Sequence, residues 1–229
     1  MSRTAPLPFL AAILVVASAL AAPLRAAEAP AGALFPFPAL DGREIAFDPA
    51  APCHVIAFLG AGCPVARQYG SRLEEIAREY AGRGVRVIGV DANRQDSAEE
   101  FAAAGREIGV TFPLVMDPGQ RIARSLGATR TGGVVLLDRL GEIAYAGRID
   151  DQFAPGVAKP EATRRDLVAA IDEVLAGRPV SVARTEPVGC LITFDRTAPA
   201  DAVTAAADAA TAPTFHNDIL PMLQQHCME

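Results

Sequence analysis

The chain has 229 residues and a formal net charge of -6 at pH 7. An acidic chain of this kind offers no basic surface to neutralise phosphates, which argues against nucleic acid as a partner. Its length allows one domain with a hydrophobic core plus a tail. Four cysteines are too few to build a disulfide scaffold of this size, so we expect each to have its own role.

The first 27 residues have the pattern of a secretory signal peptide. Arg3 precedes an apolar stretch at 7–24, and small residues follow it. Prolines leave an uninterrupted core of about fifteen residues, fewer than the roughly twenty that span a bilayer. We expect cleavage and export to an oxidising space such as the periplasm, with no membrane span in the mature chain. An uncleaved membrane anchor is the alternative.

Strands and helices alternate through the next part of the chain. Continuous apolar runs predict buried strands in "CHVIAFLG", "VRVIGVDAN", "FPLVMD" and "GVVLLD". Apolar spacings of three or four residues predict helices after Pro64, after Ser97 and across "TRRDLVAAIDEVLAG". Ser97 and Glu100 are spaced as a capping box. This order predicts the α/β class, with a mixed central sheet flanked by helices and a hairpin at one edge.

The composition changes after about residue 195. Residues 196–212 are alanine, threonine, aspartate and proline without apolar periodicity, which is typical of a linker. Residues 213–229 regain apolar spacing and predict a short helical tail. The predicted organisation is therefore a signal peptide (1–27), one domain (34–195), a linker and this tail.

Cys63 lies where the strand "CHVIAFLG" gives way to a helix. Pro64 suits the first helical position because its missing N–H would have no partner there. Free N–H groups and the positive end of the helix dipole favour a thiolate over a thiol, and Arg67 is one turn further on. We interpret Cys63 as a nucleophile with a lowered pKa. The alternative is a small buried apolar cysteine.

These features resemble the thioredoxin superfamily, in particular its redoxin branch, the alkyl hydroperoxide reductase and thiol-specific antioxidant group. The resemblance covers residues 34 to 195. The stretches "GCPVARQY", "GRIDD" and "TEPVGCLI" look similar to exported redoxin domains that precede c-type cytochrome segments in some bacteria. The resemblance implies a thioredoxin-like fold and thiol redox chemistry at Cys63.

The chain also departs from the patterns of this superfamily. Ala66 stands where a thioredoxin-type dithiol has its second cysteine, and Gly60 stands where a typical peroxiredoxin has threonine or serine. Thr131 and Gly132 occupy the usual place of threonine and a cis-proline. Arg130 is the candidate for the arginine that peroxide-reducing members hold near their thiolate, although its register differs.

Two other cysteines, Cys53 and Cys190, lie within the predicted domain. Cys53 begins the strand that Cys63 follows, and a rise of about 3.3 Å per residue separates the two by roughly 20 Å or more. A disulfide needs Cα atoms within about 7 Å, which excludes Cys53. Cys190 follows the last domain helix in "EPVGCLI", which we interpret as a flexible segment that the topology allows to reach the active end of the sheet. Cys190 is therefore the candidate resolving thiol, with a free or intermolecular thiol as the alternative.

Two other classes of function stay open. The copper-loading Sco proteins share this fold, but they use two cysteines on the helix-start loop and a distant histidine. Here only Cys63 is on that loop, and His54 is beside Cys53 at the wrong end of the strand. No zinc site can be assembled, so we expect no metal. The third class is a non-catalytic docking module with a degenerate redoxin fold.

The expected activity is that of an exported thiol-disulfide oxidoreductase or thiol peroxidase. Its expected partners are thiol or disulfide proteins, or peroxide. No cofactor is expected in this chain, because c-type haem attachment reads Cys-x-x-Cys-His and the sequence supplies only Cys227 and both spacers. The resemblance implies a longer parent that continues with Cys-His after Glu229, binds haem covalently and forms a cytochrome domain.

Overall fold

The computed structural model describes residues 31–154, 156–194 and 214–227. The predicted signal peptide (1–27) and linker (196–212) lie outside these residues, and the domain limits stay predictions. In the part that is described, no helix is both long and apolar enough to span a bilayer.

The described strands and helices follow the predicted order. The strands are β1 (Phe37–Pro38), β2 (Glu44–Ile45), β3 (Cys53–Leu59), β4 (Arg86–Asp91), β5 (Leu114–Met116), β6 (Gly133–Asp138), β7 (Ile143–Arg148), β8 (Phe153–Ala154) and β9 (Val157–Ala158). The α-helices are α1 (Pro64–Ala81), α2 (Ala98–Ile108), α3 (Arg121–Ser125), α4 (Asp166–Leu175) and α5 (Leu220–Cys227).

A five-stranded sheet with the order β5-β4-β3-β6-β7 forms the centre of the domain. Strands β3, β4 and β5 run parallel, whereas β6 is antiparallel to both of its neighbours. The predicted α/β class with a mixed sheet is therefore confirmed. Strands β1 and β2 pair separately, as do β8 and β9.

Strand β3 supplies side chains to the cores on both faces of this sheet. All of its residues are buried, and successive side chains point to opposite faces. Val55 and Leu59 pack in the core that includes residues of α1, α2 and α4. Ile56 and Phe58 pack in the second core, with residues of β1 and α3. Because both faces of β3 are buried, this strand needs a continuous apolar run. The end of the run fixes the position of the loop that carries Cys63.

Two helices begin as the sequence predicts. Helix α1 starts at Pro64 and ends before Gly82. In α2 the capping box is formed, because the Glu100 N–H donates to the Ser97 hydroxyl (3.2 Å) and the Ser97 N–H donates to the Glu100 carboxylate (2.8 Å).

The segment at 184–193, which we call the strap, is ordered by backbone pairing, contrary to our prediction of a flexible approach. It first runs beside β7, where the Thr185 N–H donates to the Ala146 carbonyl (3.1 Å). It then crosses to the loop at 129–132. There the Thr131 N–H donates to the Cys190 carbonyl, and the Ile192 N–H donates to the Thr129 carbonyl, each at 2.9 Å.

The predicted helical tail is formed within the described residues 214–227. A π-helical turn at Phe215–Ile219 leads into α5. Its relation to a cytochrome segment stays a prediction.

Candidate active site

Cys63 is the residue that precedes the first turn of α1. Its backbone is extended (φ -88°, ψ 115°), Pro64 follows at the first helical position, and the Cys63 carbonyl accepts the Arg67 N–H at 3.0 Å. The side chain is nearly buried, with 4% of the residue exposed. The chain thus turns at Cys63 so that its sulfur lies close to N–H groups at the helix start.

The surroundings of Cys63 favour its thiolate. Burial raises the pKa of this thiol, but hydrogen bonding from the Thr131 hydroxyl and the Cys190 thiol, together with the backbone N–H groups of Ala66 and Cys190, lowers it by more. The net pKa is below the ordinary value for cysteine. Ala66 contributes through its backbone, at the position where a thioredoxin-type site has a second thiol.

Cys190 on the strap is brought directly to Cys63. Both are free thiols in this structure, and Cys190 is exposed. Hydrogen bonding to Cys63, followed by burial and by the charge of Cys63, raises the pKa of Cys190. The two cysteines are therefore unequal: Cys63 ionises more readily, while Cys190 keeps its proton and faces solvent.

Thr131 holds the two cysteines together. Its hydroxyl accepts the Cys190 N–H at 3.1 Å, and its own proton faces the Cys63 sulfur and the Cys190 carbonyl, which is 3.4 Å away. Thr131 is 1% exposed, so water does not compete for these contacts. In the sequence, this threonine is recognisable only as part of a missing cis-proline motif.

Two glycines allow the strap to approach the loop. A Cβ on Gly132 (φ 82°) would lie 2.6 Å from the Val188 carbonyl oxygen, and a Cβ on Gly189 (φ 152°) would lie 1.7 Å from the Thr131 carbonyl oxygen. Both positions also have backbone angles that favour glycine. The backbone at Thr131 and Gly132 therefore packs against the strap, a segment of the same chain.

The two arginines predicted near Cys63 have other partners. The Arg67 guanidinium forms an ion pair with Glu107 on α2, and its contribution to the Cys63 thiolate stays a prediction. One guanidinium nitrogen of Arg130 donates to the Gly189 carbonyl at 2.9 Å. Arg130 therefore fastens the strap, and its role near a thiolate stays a prediction.

Cys53 and His54 lie at the start of β3, whereas Cys63 follows its end. Cys53 is fully buried, and burial raises its pKa to about 12. His54 stacks on Phe47, with ring centroids 4.7 Å apart, and accepts the Asp48 N–H at 3.3 Å. The described parts of the chain hold no group of three or more histidines, cysteines or carboxylates arranged for a metal ion.

The stretches "GCPVARQY" and "GRIDD" meet in the fold. The Tyr69 hydroxyl donates to buried Asp150 at 3.2 Å, and Arg72 forms an ion pair with the same carboxylate. The Tyr69 ring also lies beneath Gly132, whose added Cβ would be 3.4 Å from it. These residues support the loop at 129–132 from below.

A pair of carboxyl groups, buried Asp91 and half-buried Asp96, lies under the loop that carries Cys63, and sequence reasoning missed it. Asp91, at the end of β4, is 0% exposed and accepts the Asn93 N–H and side-chain amide at 2.8 and 2.9 Å. Asp96 accepts the Ala61 N–H at 2.9 Å. Burial, helped by Asp96 and opposed by the Asn93 N–H, raises the pKa of Asp91 to about 7. The available signal was the acidic stretch "DANRQD" directly after a strand.

The carboxyl pair also explains one departure from the peroxiredoxin pattern. A Cβ at Gly60 would lie 2.4 Å from the amide nitrogen of Asn93 and 3.2 Å from the Thr131 methyl group. A threonine or serine at this position would displace the amide that binds both carboxylates. Glycine is therefore required three residues before Cys63.

The sheet order and the cysteine at the start of α1 define a protein of thioredoxin-like fold. Residues 28–146 match the AhpC/TSA family, and the chain belongs to that family. The fold agrees with a solution structure of a putative thioredoxin from Neisseria meningitidis (TM-score 0.51, 20% identity, 62% of this chain and 87% of that chain).

Two further comparisons extend this result. A crystal structure of a hypothetical protein from Sinorhizobium meliloti is 30% identical, with a TM-score of 0.63 over 71% of this chain and 91% of that chain. The thiol-disulfide oxidoreductase ResA of Halalkalibacterium halodurans is 28% identical over 111 residues, which are 46% of this chain. The chain spans 61% of the length of that relative.

The Thr131 hydroxyl should control the ionisation of Cys63. Replacing it in Thr131→Val should raise the pKa of Cys63 by about one unit, because a hydrogen bond to a charged group contributes roughly 1.5 kcal/mol or more. Thr131→Ser keeps the hydroxyl and should stay near wild type. Alkylation of Cys63 against pH, quantified by peptide mass spectrometry, measures the shift. Equal profiles for the valine and serine variants would contradict this role.

Asp91→Asn should change how stability depends on pH. The native carboxyl keeps its proton up to about pH 7, whereas an unfolded aspartate loses it near about pH 3.9. The native state thus binds more protons between these values, and the free energy of unfolding falls as pH rises through them.

The asparagine does not titrate, so this slope should be absent from the variant. The free energy of unfolding of Asp91→Asn minus that of wild type should therefore be larger at about pH 8 than at about pH 5. Urea unfolding of the reduced proteins at both pH values measures the difference. A stability difference that is the same at both pH values would show that Asp91 ionises normally.

Proposed function

We propose that this chain is an exported thiol redox enzyme in which Cys63 and Cys190 cycle between a dithiol and a disulfide. The observation that carries the proposal is the contact between the polarised Cys63 thiol and the Cys190 thiol on the strap. Cys63 is the attacking thiolate, and Pro64 and the free N–H groups at the helix start are its activators. Cys190 is the resolving thiol.

The proposed chemistry with a disulfide substrate has two steps. The Cys63 thiolate attacks one substrate sulfur, the substrate S–S bond breaks, and the first substrate thiolate leaves. Cys190 then loses its proton and attacks the Cys63 sulfur, which releases the second substrate thiolate. The substrate gains two electrons, and the protein is left with a Cys63–Cys190 disulfide.

A hydroperoxide would be reduced at the same pair. The Cys63 thiolate takes the terminal oxygen and becomes a sulfenic acid while the alcohol or water leaves. The Cys190 thiol condenses with the sulfenic acid, and water is released as the disulfide forms. Membership of the AhpC/TSA family supports this form, whereas the name of the ResA relative supports the disulfide form.

The residues around Cys63 and Cys190 suit both disulfide reduction and hydroperoxide reduction. Thr131, buried beside the two sulfurs, stabilises the Cys63 thiolate as nucleophile and again as leaving group. Arg130 and Gly189 keep the resolving thiol in place without a long conformational change. The proposed partners are thiol or disulfide proteins, or peroxide, in the compartment to which residues 1–27 would direct the chain.

Two alternatives follow from the sequence. A docking module would have this fold but no catalytic turnover. If neither substrate reacted, the pairing of the strap over the loop at 129–132 would favour this alternative. Copper handling would need further ligands near Cys63, but His54 is packed against Phe47 at the start of β3. The two-cysteine contact favours redox chemistry over both.

The test compares Cys63→Ser with Cys53→Ala, a second cysteine substitution away from the site. Wild type should reduce the disulfides of insulin with a dithiol donor, or consume hydrogen peroxide with a thiol donor. Cys63→Ser should lower the rate to background, because serine is a far weaker nucleophile, and Cys53→Ala should retain activity. Equal activity of Cys63→Ser and wild type would contradict the proposal. A folded wild type without either activity would favour the docking module.

A further inference from the structure

The two cysteines of the site differ in their access to solvent. Only 4% of Cys63 is exposed, because the Cys190 backbone and thiol and the Thr131 side chain lie against it. Cys190, on the outer side, is exposed, and so is its neighbour Leu191 at 63%. A molecule approaching from solvent therefore meets the Cys190 sulfur first.

The strap also occupies the backbone edge in front of Cys63. The Thr131 N–H and the Thr129 carbonyl are both paired with strap residues, at 2.9 Å each. Arg130 makes a third connection, to the Gly189 carbonyl. An extended peptide cannot pair with these groups while the strap is in place, since each backbone group is already satisfied.

We propose that the strap sorts the partners of this site by size: small oxidants reach Cys63, whereas a thiol carried on a peptide or protein exchanges with Cys190. This inference rests on the proposed redox function and specifies which sulfur each class of partner meets. Hydrogen peroxide represents the first class. A cysteine-containing peptide represents the second.

The leaving groups of the disulfide favour the same assignment. A peptide thiolate that attacks the Cys190 sulfur expels Cys63, whose thiolate is stabilised by the Thr131 hydroxyl and the Ala66 N–H. Attack at Cys63 would expel Cys190, which lacks comparable stabilisation. Exchange is faster when the attacked sulfur is accessible and the leaving thiol is more acidic. The solvent access of the attacked sulfur and the acidity of the leaving thiol thus both favour attack at Cys190.

The proposed exchange between a peptide thiol and the Cys63–Cys190 disulfide has two steps. The peptide thiolate forms a bond to the Cys190 sulfur, the Cys63–Cys190 bond breaks, and Cys63 leaves as the thiolate. A second peptide thiol, acting as thiolate, attacks the peptide sulfur of this mixed disulfide and releases Cys190, which takes up a proton. Two peptide thiols become one disulfide, and the protein gains two electrons. In the reverse direction, a large disulfide would form its mixed disulfide at Cys190, and the Cys63 thiolate would then attack the Cys190 sulfur and release the second substrate thiolate. The attack by Cys63 on a disulfide described above therefore applies to small disulfides.

The first experiment uses the full chain without substitution. The protein is oxidised with hydrogen peroxide, the Cys63–Cys190 bridge is verified by mapping, and a cysteine peptide is added briefly before quenching with N-ethylmaleimide. We expect the peptide on Cys190 and the maleimide on Cys63, with a preference of roughly tenfold or more over the reverse. Adducts mainly on Cys63 would overturn the inference. If no bridge forms, the proposed function itself fails.

The second experiment compares single-cysteine sites. In Cys190→Ser, Cys63 should react with hydrogen peroxide but should react with a disulfide-linked peptide dimer roughly tenfold more slowly than Cys190 does in Cys63→Ser. The larger thiolate fraction of Cys63 would by itself give the opposite order, so a slow rate reports steric exclusion. An equal or faster rate at Cys63 would contradict the size filter.

Moving the strap should open Cys63 to the larger partner. In the Cys190→Ser background, Gly189→Ala places a Cβ against the Thr131 carbonyl and should raise the rate with the peptide dimer severalfold. Gly82→Ala is the matched control, because an added Cβ there meets nothing within 4 Å. No difference between these two variants would contradict the role of the strap.

Discussion

The backbone pairing between the strap and the loop at 129–132 is the interaction on which the site depends. The Thr131 N–H to Cys190 carbonyl bond and the Ile192 N–H to Thr129 carbonyl bond fix the part of the strap that carries Cys190. They place Cys190, which is 127 positions after Cys63 in the sequence, against the start of α1. Gly132 and Gly189 are needed because the two backbones approach more closely than a Cβ would allow.

The chemistry of Cys63 results from a balance between burial and hydrogen bonding. Burial alone raises the pKa of a thiol, as it does for Cys53 at the start of β3. At Cys63 the helix start, Thr131 and Cys190 provide donors that reverse this effect. These donors come from three separate segments of the chain, and the strap supplies those of Cys190. Burial and reactivity are thus compatible at this position.

The sequence predicted the parts of this structure that local patterns determine. The apolar run of β3, the spacing in α1 and the Ser97–Glu100 capping box follow from side chains that are neighbours along the chain. The strap was not predicted to be ordered, because backbone pairing leaves no side-chain period. The partner of Arg67, Glu107, was not predicted because it lies forty residues away along the chain. Asp91 was missed because an acidic residue after a strand resembles a solvated loop.

The central claim is that Cys63 and Cys190 form one redox pair. Peptide mapping of the full chain without reduction, after treatment with one equivalent of oxidant, tests it most directly. The account predicts one cross-linked peptide that joins Cys63 to Cys190, which disappears in Cys190→Ser and persists in Cys53→Ala. Two free thiols after oxidation, or a bridge from either cysteine to a different sulfur, would contradict it.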